Sequence, residues 1–321
     1  MKLTQISNFK KGKNIQGFFL CKDKQIRQTR AGDLYIDIVL FDKSGFVSAK
    51  VWDLVDQYKN KFETGDPVAV KGKVIEFNNG IQLSVTKINL ATKSKYDKYG
   101  FDTSLLIPTI SENIHDLYQE LINLVNVIKN PKLKKLLLSI FENNKERVCI
   151  LPASVDYHHA LRGGYLKHTV SVGKSAVSIS QIHTNLDSDI LIAGALLHDI
   201  GTLRVIDESI NSQYTLEGNL FGHVVLGRDL FLEEVSRIKN FPEDIKLMLE
   251  HIILSHQGAL SKGSPRTPKF PEALVIHYLD ELDGKLDIMN TAISLDNEKS
   301  DWTDSRNIFH TQLWKHKIKT S

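Results

Sequence analysis

Residues 190–201 read Ile-Leu-Ile-Ala-Gly-Ala-Leu-Leu-His-Asp-Ile-Gly, so that a long apolar run ends in an adjacent His and Asp. The run falls within a helix that we predict over residues 188–200. A His-Asp pair alone proves little, because a histidine in an apolar helix is more often a hydrogen-bonded core residue than a ligand. The meaning of His198 and Asp199 therefore depends on what the rest of the chain places around them.

Four more histidines and one more aspartate occupy similar apolar, helical settings on either side of this pair. Burying so many polar groups without partners is costly, and a shared metal ion would satisfy them together. Imidazole nitrogens and carboxylate oxygens are ligands that suit Mn²⁺, Fe²⁺ or Zn²⁺. The pattern predicts a metal centre, and its candidate ligands are His168, His198, Asp199, His223, His251, His256 and Asp280.

The chain from residue 111 onward has the apolar periodicity of helices. The first predicted helix has one apolar face, formed by Ile114, Leu117, Leu121, Leu124 and Ile128. Later helices are predicted around residues 166–182, 188–200, 221–239, 242–256 and 270–290. Since no second strand-rich region follows, we predict an all-α domain over residues 113–321, preceded by an aperiodic linker over residues 93–112.

Residues 1–92 have a different pattern, with β-rich runs separated by turn signals. The five runs lie at residues 15–20, 34–40, 47–52, 67–74 and 81–85. A short helix is predicted over Asp53–Phe62, between the third and fourth runs. Five strands with a helix after the third is the order of an OB-fold, so we predict a multidomain chain: an all-β OB-fold barrel followed by an all-α domain.

The barrel region is basic: residues 1–95 carry 17 Lys and Arg against 9 Asp and Glu, whereas the remainder carries 24 against 29. This imbalance indicates a polyanionic partner, although a solvated lysine-rich surface would give the same counts. OB-folds stack bases on exposed aromatic rings, but a small barrel also needs aromatic residues in its interior. The candidate nucleic-acid-binding residues are Phe19, Lys22, Lys24, Arg27, Arg30, Tyr35, Trp52, Lys71 and Lys73, with Lys50 nearby.

The composition, 41% hydrophobic and 25% charged, is that of a soluble globular protein. No run of 18 apolar residues occurs and the N-terminal residues lack the apolar core of a signal peptide, so we expect a cytoplasmic protein without a membrane partner. Cys21 and Cys149 lie far apart in sequence and are expected to be reduced and structural.

The order His168, His198-Asp199, Asp280 resembles the HD-domain superfamily of metal-dependent phosphohydrolases. Three segments extend the likeness: His158-His-Ala-Leu-Arg-Gly-Gly-Tyr-Leu-Lys-His168, Tyr214-Thr-Leu-Glu-Gly-Asn-Leu-Phe-Gly-His223 and Leu254-Ser-His256. With the barrel in front, they look like the YhaM-type 3′→5′ exoribonucleases over nearly the whole chain.

By position, this resemblance implies a first metal site at His168, His198, Asp199 and Asp280. It implies that Asp199 bridges to a second site at His223 and His256, with His251 as a further participant. Asp199 and His198 would act in catalysis with one or two divalent ions, Mn²⁺ ahead of Fe²⁺, Zn²⁺ or Mg²⁺. The residues expected to line the substrate path are His158, His159, Arg162 and Arg204.

Two positions depart from the pattern of the YhaM-type enzymes. Gln257 stands where the family often has a second His before Gly258, and Thr202 stands where it often has Lys. The first departure bears on the second metal site, and the second removes a cation that could bind phosphate.

The predicted function is that of a metal-dependent 3′→5′ exoribonuclease, which hydrolyses single-stranded RNA, with single-stranded DNA as a second substrate, to nucleoside monophosphates. Two alternatives stay open: an HD phosphohydrolase of small nucleotides, and a non-enzymatic single-strand DNA-binding factor. The basic barrel disfavours the first and the intact ligand set disfavours the second. RNA is favoured over DNA as partner. The aromatic residues after position 290 would cap the helical domain or, less favoured, join subunits of a homo-oligomer.

Overall fold

The computed structural model describes residues 3–77, 80–102, 106–107, 109–155, 158–209, 212–296 and 300–315. The chain divides into two compact units. The first comprises Met1–Thr109 with Ser209–Asn211, and the second comprises Ile110–Glu208 with Ser212–Ser321. Within the described part of the chain, no helix is both long enough and apolar enough to cross a membrane.

The first unit is a closed five-stranded barrel in which the strands are hydrogen-bonded in the order β1-β2-β3-β5-β4. All neighbouring pairs are antiparallel except β3 and β5, which run parallel. The alternation of side chains directs one face of each strand into the barrel, as in β2, where Ile36, Ile38 and Leu40 are buried. The strands are β1 Asn14–Gln28, β2 Leu34–Asp42, β3 Gly45–Val51, β4 Pro67–Phe77 and β5 Gly80–Leu90.

This topology confirms the predicted OB-fold, including a helix between the third and fourth strands. That helix, α1, is shorter than predicted and spans only Val55–Tyr58. It begins directly after Leu54, whose φ of 56° lies in the left-handed region that a continuous helix cannot use. Val55 and Tyr58 are buried, so α1 closes the barrel by packing its apolar face inward.

The prediction that Phe19 binds nucleic acid is wrong. Its side chain is fully buried in the barrel core and meets Phe9 edge to face, with ring centroids 5.9 Å apart. Sequence alternation is uninformative here because β1 is buried on both faces around Phe18 and Phe19. Phe18 points the other way and is covered by Tyr96 and Phe101.

The segment predicted as a linker is largely part of the first unit. Helix α2 spans Lys93–Tyr96 and a 3₁₀ turn follows over Asp97–Tyr99. Beyond them, Phe101 and Leu106 are buried in a small cluster with Phe18. These apolar residues are too irregularly spaced to give a helical or strand period, which is why the sequence predicted a linker.

The second unit is all-α, as predicted, and its core is one continuous apolar cluster. Its central element is α7, in which every residue of 190–197 is buried. Helices α4 and α5 were not predicted from the sequence. The helices are α3 Ile114–Val127, α4 Pro131–Asn143, α5 Lys145–Ile150, α6 Gly164–Ile182, α7 Ser188–Leu197, α8 Thr202–Val205, α9 Leu216–Ser236, α10 Glu243–Ser255 and α11 Pro271–Leu295.

The segment after α11 folds back on itself in the second unit. Trp302 and Trp314 form an isolated antiparallel bridge, and Leu313 is buried. The two indole side chains are half exposed, and the backbone pairing and the buried Leu313 hold the segment together.

The burial of Phe19 predicts that Phe19→Ala destabilises the barrel by about 3–5 kcal/mol, because it removes a fully enclosed ring. Trp52→Ala, at a ring that is 43% exposed, should cost about 1 kcal/mol or less. Hydrogen exchange of barrel peptides in the full chain measures this difference without interference from the helical unit. If hydrogen exchange is unchanged in Phe19→Ala while strand binding is lost, Phe19 contacts the nucleic acid and is not a core residue.

Candidate metal centre

Five helices bring the predicted ligands together at one end of α7. His168 lies in α6, His223 in α9 and Asp280 in α11, and His198 and His256 are the residues that directly follow α7 and α10. Because α7 is buried on all sides, the His198-Asp199 pair at its end is held deep in the unit. His168 and His256 are fully buried, whereas the His223 side chain is one-third exposed.

The first group of ligand atoms consists of two imidazole nitrogens and two carboxylate oxygens. His168 Nε2 lies 3.1 Å from His198 Nε2 and 3.4 Å from Asp280 Oδ1. Asp199 Oδ2 lies 3.9 Å from each of the two imidazole Nε2 atoms. These four side chains thus face one small space, as the resemblance implied for a first metal site.

The second group uses the other oxygen of the same aspartate. Asp199 Oδ1 lies 3.1 Å from His256 Nε2 and 3.5 Å from His223 Nε2, and these two nitrogens are 3.3 Å apart. Despite these short separations, Asp199 Oδ1 is buried without a hydrogen bond of acceptable geometry among the described residues. The Asp199 carboxylate therefore faces one ligand group with each oxygen, which is the arrangement of a ligand that bridges two cations.

The hydrogen bonds behind the imidazoles fix their tautomers. His168 Nδ1 donates to Asp283 Oδ2 at 2.7 Å, and His198 Nδ1 and His256 Nδ1 donate to the carbonyl oxygens of Ala195 and Ile253, both at 2.8 Å. Since carboxylates and carbonyls only accept, each Nδ1 carries a proton and each Nε2 faces the centre, where it can bind a metal ion or take up a second proton.

Two lone pairs 3.1 Å apart, on His168 and His198, repel each other unless a cation or a proton lies between them. Asp199 Oδ1, which has no hydrogen-bond partner among the described residues, also needs a cation or a proton between it and His256 Nε2, 3.1 Å away. A divalent metal in each group would remove both conflicts, so the donor set fits metal binding.

The electrostatics of the centre also favour a cation. Burial acts to raise the pKa of Asp199, but the imidazoles of His198, His256 and His223 hold this pKa well below its usual range. The pKa of Asp280 is likewise lowered, against burial, by His168 and His198. Burial lowers the pKa of His168, but Asp280 and Asp283 outweigh burial and raise it to about 10. The carboxylates are therefore ionised and draw positive charge into the centre, either as a metal ion or, when no metal is bound, as a proton on His168 Nε2.

Sequence reasoning assigned His158 and His159 to the substrate path, and the structure places both against the centre. One ring nitrogen of His158 belongs to a group with His168, Asp199 and Asp280 in which all ligand atoms lie within 4.8 Å of one another. His158 Nε2 is buried without a hydrogen-bond partner among the described residues, and burial lowers the pKa of this imidazole. His158 is thus available as a further ligand or as a contact to whatever the metals bind.

The sequence analysis did not identify Asp283 and Asp287, which position His168 and His159. Asp283 binds His159 Nε2 at 2.8 Å in addition to His168, and Ser171 donates to its other oxygen. Asp287 accepts the backbone N–H of His159 at 2.6 Å, which holds this residue in its left-handed conformation at φ 46°. Asp280, Asp283 and Asp287 lie at i, i+3 and i+7, one face of a helix, and that spacing was the signal in the sequence.

Close backbone packing positions His223 beside Asp199. A Cβ atom on Gly201 would lie 1.9 Å from the carbonyl oxygen of His223 and 2.8 Å from the backbone nitrogen of Gly227. Gly222 interrupts α9 with φ 73° and ψ 166°, a conformation that residues with a side chain rarely adopt. The two glycines permit the approach and the bend that turn His223 toward the centre.

A cavity of about 160 Å³ opens beside the centre and is lined by His158, His256 and Asp280. Lys262 and Lys285 also line it, and both bind Glu281 Oε1, at 2.7 and 2.9 Å. Gln257, one of the two departures from the family pattern, belongs to the same lining. A small anionic group that reached the centre through this cavity would pass two lysines.

Two predicted site residues are engaged elsewhere, and a third is half-buried. His251 Nε2 accepts the backbone N–H of Lys269 at 3.1 Å, so it contributes no lone pair to the centre. Arg204 forms a two-pronged ion pair with Glu233, and Arg162 is half-buried, which lowers its pKa. Thr202 is buried as well. These predictions rested on the resemblance by position, which does not show what each side chain binds in the folded chain.

The outer face of the barrel carries the other candidate site. Tyr35 on β2 and Trp52 after β3 stack with ring centroids 4.8 Å apart and an interplanar angle of 29°. Lys50 Nζ lies 4.6 Å from the centroid of the Tyr35 ring, and Arg27 pairs with Asp37 on the neighbouring strand. This Tyr35–Trp52 face joins flat aromatic surface to positive charge, as strand-binding OB-folds require.

The remaining basic candidates divide into exposed and buried residues. Lys22, Arg30, Lys71 and Lys73 are exposed. The prediction for Lys24 is wrong, because its side chain is 6% exposed and its ammonium group donates to the carbonyl oxygens of Lys59 and Phe62 and to Glu63. It ties the end of α1 to β1 and is not available to a ligand.

Comparison with known families agrees with this division into two units. A family model described as HD domain matches residues 165–285, and one described as OB-fold nucleic acid binding domain matches residues 23–91. A third, described as putative helicase, matches residues 108–205 and overlaps the first.

Solved structures with likeness to this chain include the second OB-fold domain of replication protein A from Methanococcus maripaludis, at 18% identity and TM-score 0.24, over 29% of this chain and 97% of that one. The single-stranded DNA binding protein from Thermus aquaticus matches at 14% identity and TM-score 0.23, over 25% of this chain and 40% of that one. Asparaginyl-tRNA synthetase from Entamoeba histolytica matches at 14% identity and TM-score 0.24, over 44% of this chain and 35% of that one.

The fold, the candidate ligand set and the two family matches indicate to which general class of protein this chain is similar. The chain combines an HD domain, the domain of metal-dependent phosphohydrolases, with an N-terminal OB-fold nucleic-acid-binding domain. Together these findings support a metal-dependent nucleic acid hydrolase in general.

The packing of Gly201 against His223 yields a prediction for metal binding. Gly201→Ala should displace the His223 backbone and reduce the number of Mn²⁺ ions bound per chain from two to one, because only the second group loses a ligand. Titration calorimetry, with Mn²⁺ electron paramagnetic resonance, measures this number. Gly80→Ala is the matched control, since among the described residues its new Cβ meets only one atom, at 3.6 Å. Two unaltered sites in Gly201→Ala would show that His223 is not a ligand.

Proposed function

We propose that this protein is a metal-dependent 3′→5′ exonuclease that holds single-stranded RNA on its barrel and hydrolyses it to nucleoside monophosphates. The observation that carries the proposal is the Asp199 carboxylate, which presents one oxygen to each of two His-rich ligand groups in a chain that also has a nucleic-acid-binding barrel. Mn²⁺ is the favoured ion, with Fe²⁺, Zn²⁺ or Mg²⁺ as alternatives, because the donors are mixed imidazole and carboxylate.

Divalent ions at this centre would neutralise charge on the scissile phosphodiester and lower the pKa of water. The chain's own contribution is to hold five helices in register around them. Asp199 would orient the two ions and help to take up the proton of the attacking water. Lys262 and Lys285, in the cavity lining, would draw the phosphate inward while Glu281 keeps them in place.

The size of the cavity supports cleavage at the end of a strand. About 160 Å³ is smaller than the roughly 300–1,000 Å³ of most small-molecule sites, so it suits a phosphate and part of one nucleotide rather than a strand passing through. The choice of RNA and of the 3′ end rests on the resemblance to the YhaM-type enzymes. The cytoplasmic location and a homo-oligomeric state stay predictions.

A hydrolase of small nucleotides is the second candidate, because a cavity that takes a phosphate and part of one nucleotide would also take the phosphate of a free nucleotide. The stacked Tyr35 and Trp52 rings beside Lys50 disfavour it, since a mononucleotide substrate has no need of a strand-binding platform. A non-enzymatic binding factor would have no need of the buried ligand groups, in which Asp199 Oδ1 is left without a hydrogen-bond partner among the described residues.

The proposal is tested by hydrolysis of a 5′-labelled single-stranded RNA, and of the DNA of the same sequence, with Mn²⁺ and with EDTA. We expect a ladder that shortens from the 3′ end, requires the metal and forms faster on RNA. Tight binding without cleavage of either strand would overturn the nuclease assignment, and hydrolysis of free nucleotides alone would favour the second candidate.

Replacing the bridging ligand should separate binding from hydrolysis. Asp199→Asn keeps the shape of the side chain but removes the charge shared by both ligand groups, so hydrolysis should fall by about a thousandfold or more. Strand affinity, measured by fluorescence anisotropy in EDTA, should stay within about twofold, because the barrel is unchanged. Asp244→Asn, at an exposed acid in the first turn of α10, is the control. Parallel loss of binding and hydrolysis would show that the variant fails to fold.

A further inference from the structure

We propose that the barrel has a second strand-binding surface, a groove on its β1–β4–β5 side that takes the phosphates and bases of single-stranded nucleic acid. This lysine groove is defined by Phe18, Lys71, Lys87, Lys95, Tyr96 and Tyr99. The inference deepens the proposed function, on which it rests for the class of ligand. The groove has a volume of about 810 Å³, enough for one or two nucleotides.

The charge of the groove is unbalanced. Lys71 and Lys87 face each other across β4 and β5 as cross-strand partners, and both are exposed. Lys95 and Lys98 approach from the segment that follows the barrel. Among the described residues that line the groove none is acidic, and no ion pair is formed by Lys71 or Lys87 within the described part of the chain. Four ammonium groups around one depression call for an anion with several charges.

Aromatic rings form the other part of the lining. Tyr96 packs edge to face on the buried Phe18, with centroids 5.7 Å apart, which fixes its orientation. Tyr99 lies 6.1 Å from Tyr96 and is 60% exposed, with Lys98 Nζ 5.2 Å from its centroid. Rings held beside lysines fit bases joined by phosphates, because stacking and charge act together; an inorganic anion would use the lysines alone.

The groove is separate from the Tyr35–Trp52 face. In the closed barrel order, β4 lies between β1 and β5, whereas Tyr35 and Trp52 lie on β2 and at the end of β3. A strand that contacts both surfaces must therefore run around the barrel. Two separate contacts on one strand raise affinity through effective concentration, and they would keep an RNA bound while its end is trimmed.

Photo-crosslinking locates the strand directly. The full chain in EDTA is irradiated with a 20-nucleotide RNA that carries 4-thiouridine throughout, and the adducts are mapped by mass spectrometry. We expect adducts at Tyr96 or Tyr99 as well as at Tyr35 or Trp52. Adducts only on the Tyr35–Trp52 face would overturn the lysine groove and leave the proposed function intact. No adduct on either surface would contradict both.

Salt dependence tests the role of the lysines. For Lys71→Ala with Lys87→Ala, the slope of log affinity against log salt concentration should fall by about 1.4, since each phosphate contact on a single strand contributes about 0.7. The control is Lys129→Ala with Lys135→Ala, which removes the same charge from exposed positions on the helical domain. Equal slopes in both double variants would overturn the inference, and unchanged hydrogen exchange would establish that the barrel remains folded.

Discussion

The Asp199 carboxylate, whose two oxygens face two different ligand groups, is the constraint on which the arrangement of the helical unit depends. Its two oxygens must face two different pairs of imidazoles, so five helices have to end or pass within a few ångströms of one point. A buried carboxylate with an unpaired oxygen is costly by itself. The cost is sustained because α7, which delivers it, is fully buried over residues 190–197 and anchors the core of the helical unit. The most apolar element of the domain thus carries its most polar residues at its end.

Support for the centre extends beyond the ligands. Asp283 on α11 and the carbonyls of Ala195 and Ile253 hold three imidazoles with Nε2 toward the centre. Asp287 on the same helix accepts the backbone N–H of His159. The barrel arranges its polar and apolar side chains differently. Its interior is filled by apolar side chains, and its ligand-binding capacity lies in rings and lysines on the outside. One domain therefore concentrates charge where water is excluded, and the other displays it where a polyanion can reach it.

Prediction of the barrel from sequence succeeded for topology and failed for particular side chains. Alternating strands and turns determine which elements pair, because the apolar face of each strand has to point inward. Phe19 and Lys24 were assigned to the surface because residue type alone suggested contact with nucleic acid. Burial of β1 on both faces encloses Phe19, and carbonyl groups near the end of α1 capture Lys24. Neither effect can be recognised from the residues that neighbour Phe19 or Lys24 in the sequence.

For the helical domain, the sequence by itself determined the all-α fold and the central ligands, since histidines and aspartates in apolar helices can be buried together only where they share partners such as a metal ion. Only the tertiary structure decided which of them meet. It separated His251 and Arg204 from the centre and brought in His158 and Asp283. The physical reason is that helical periodicity fixes which face a residue occupies, whereas the distance between side chains on different helices depends on packing, on the glycines that let backbones approach and on where each helix ends.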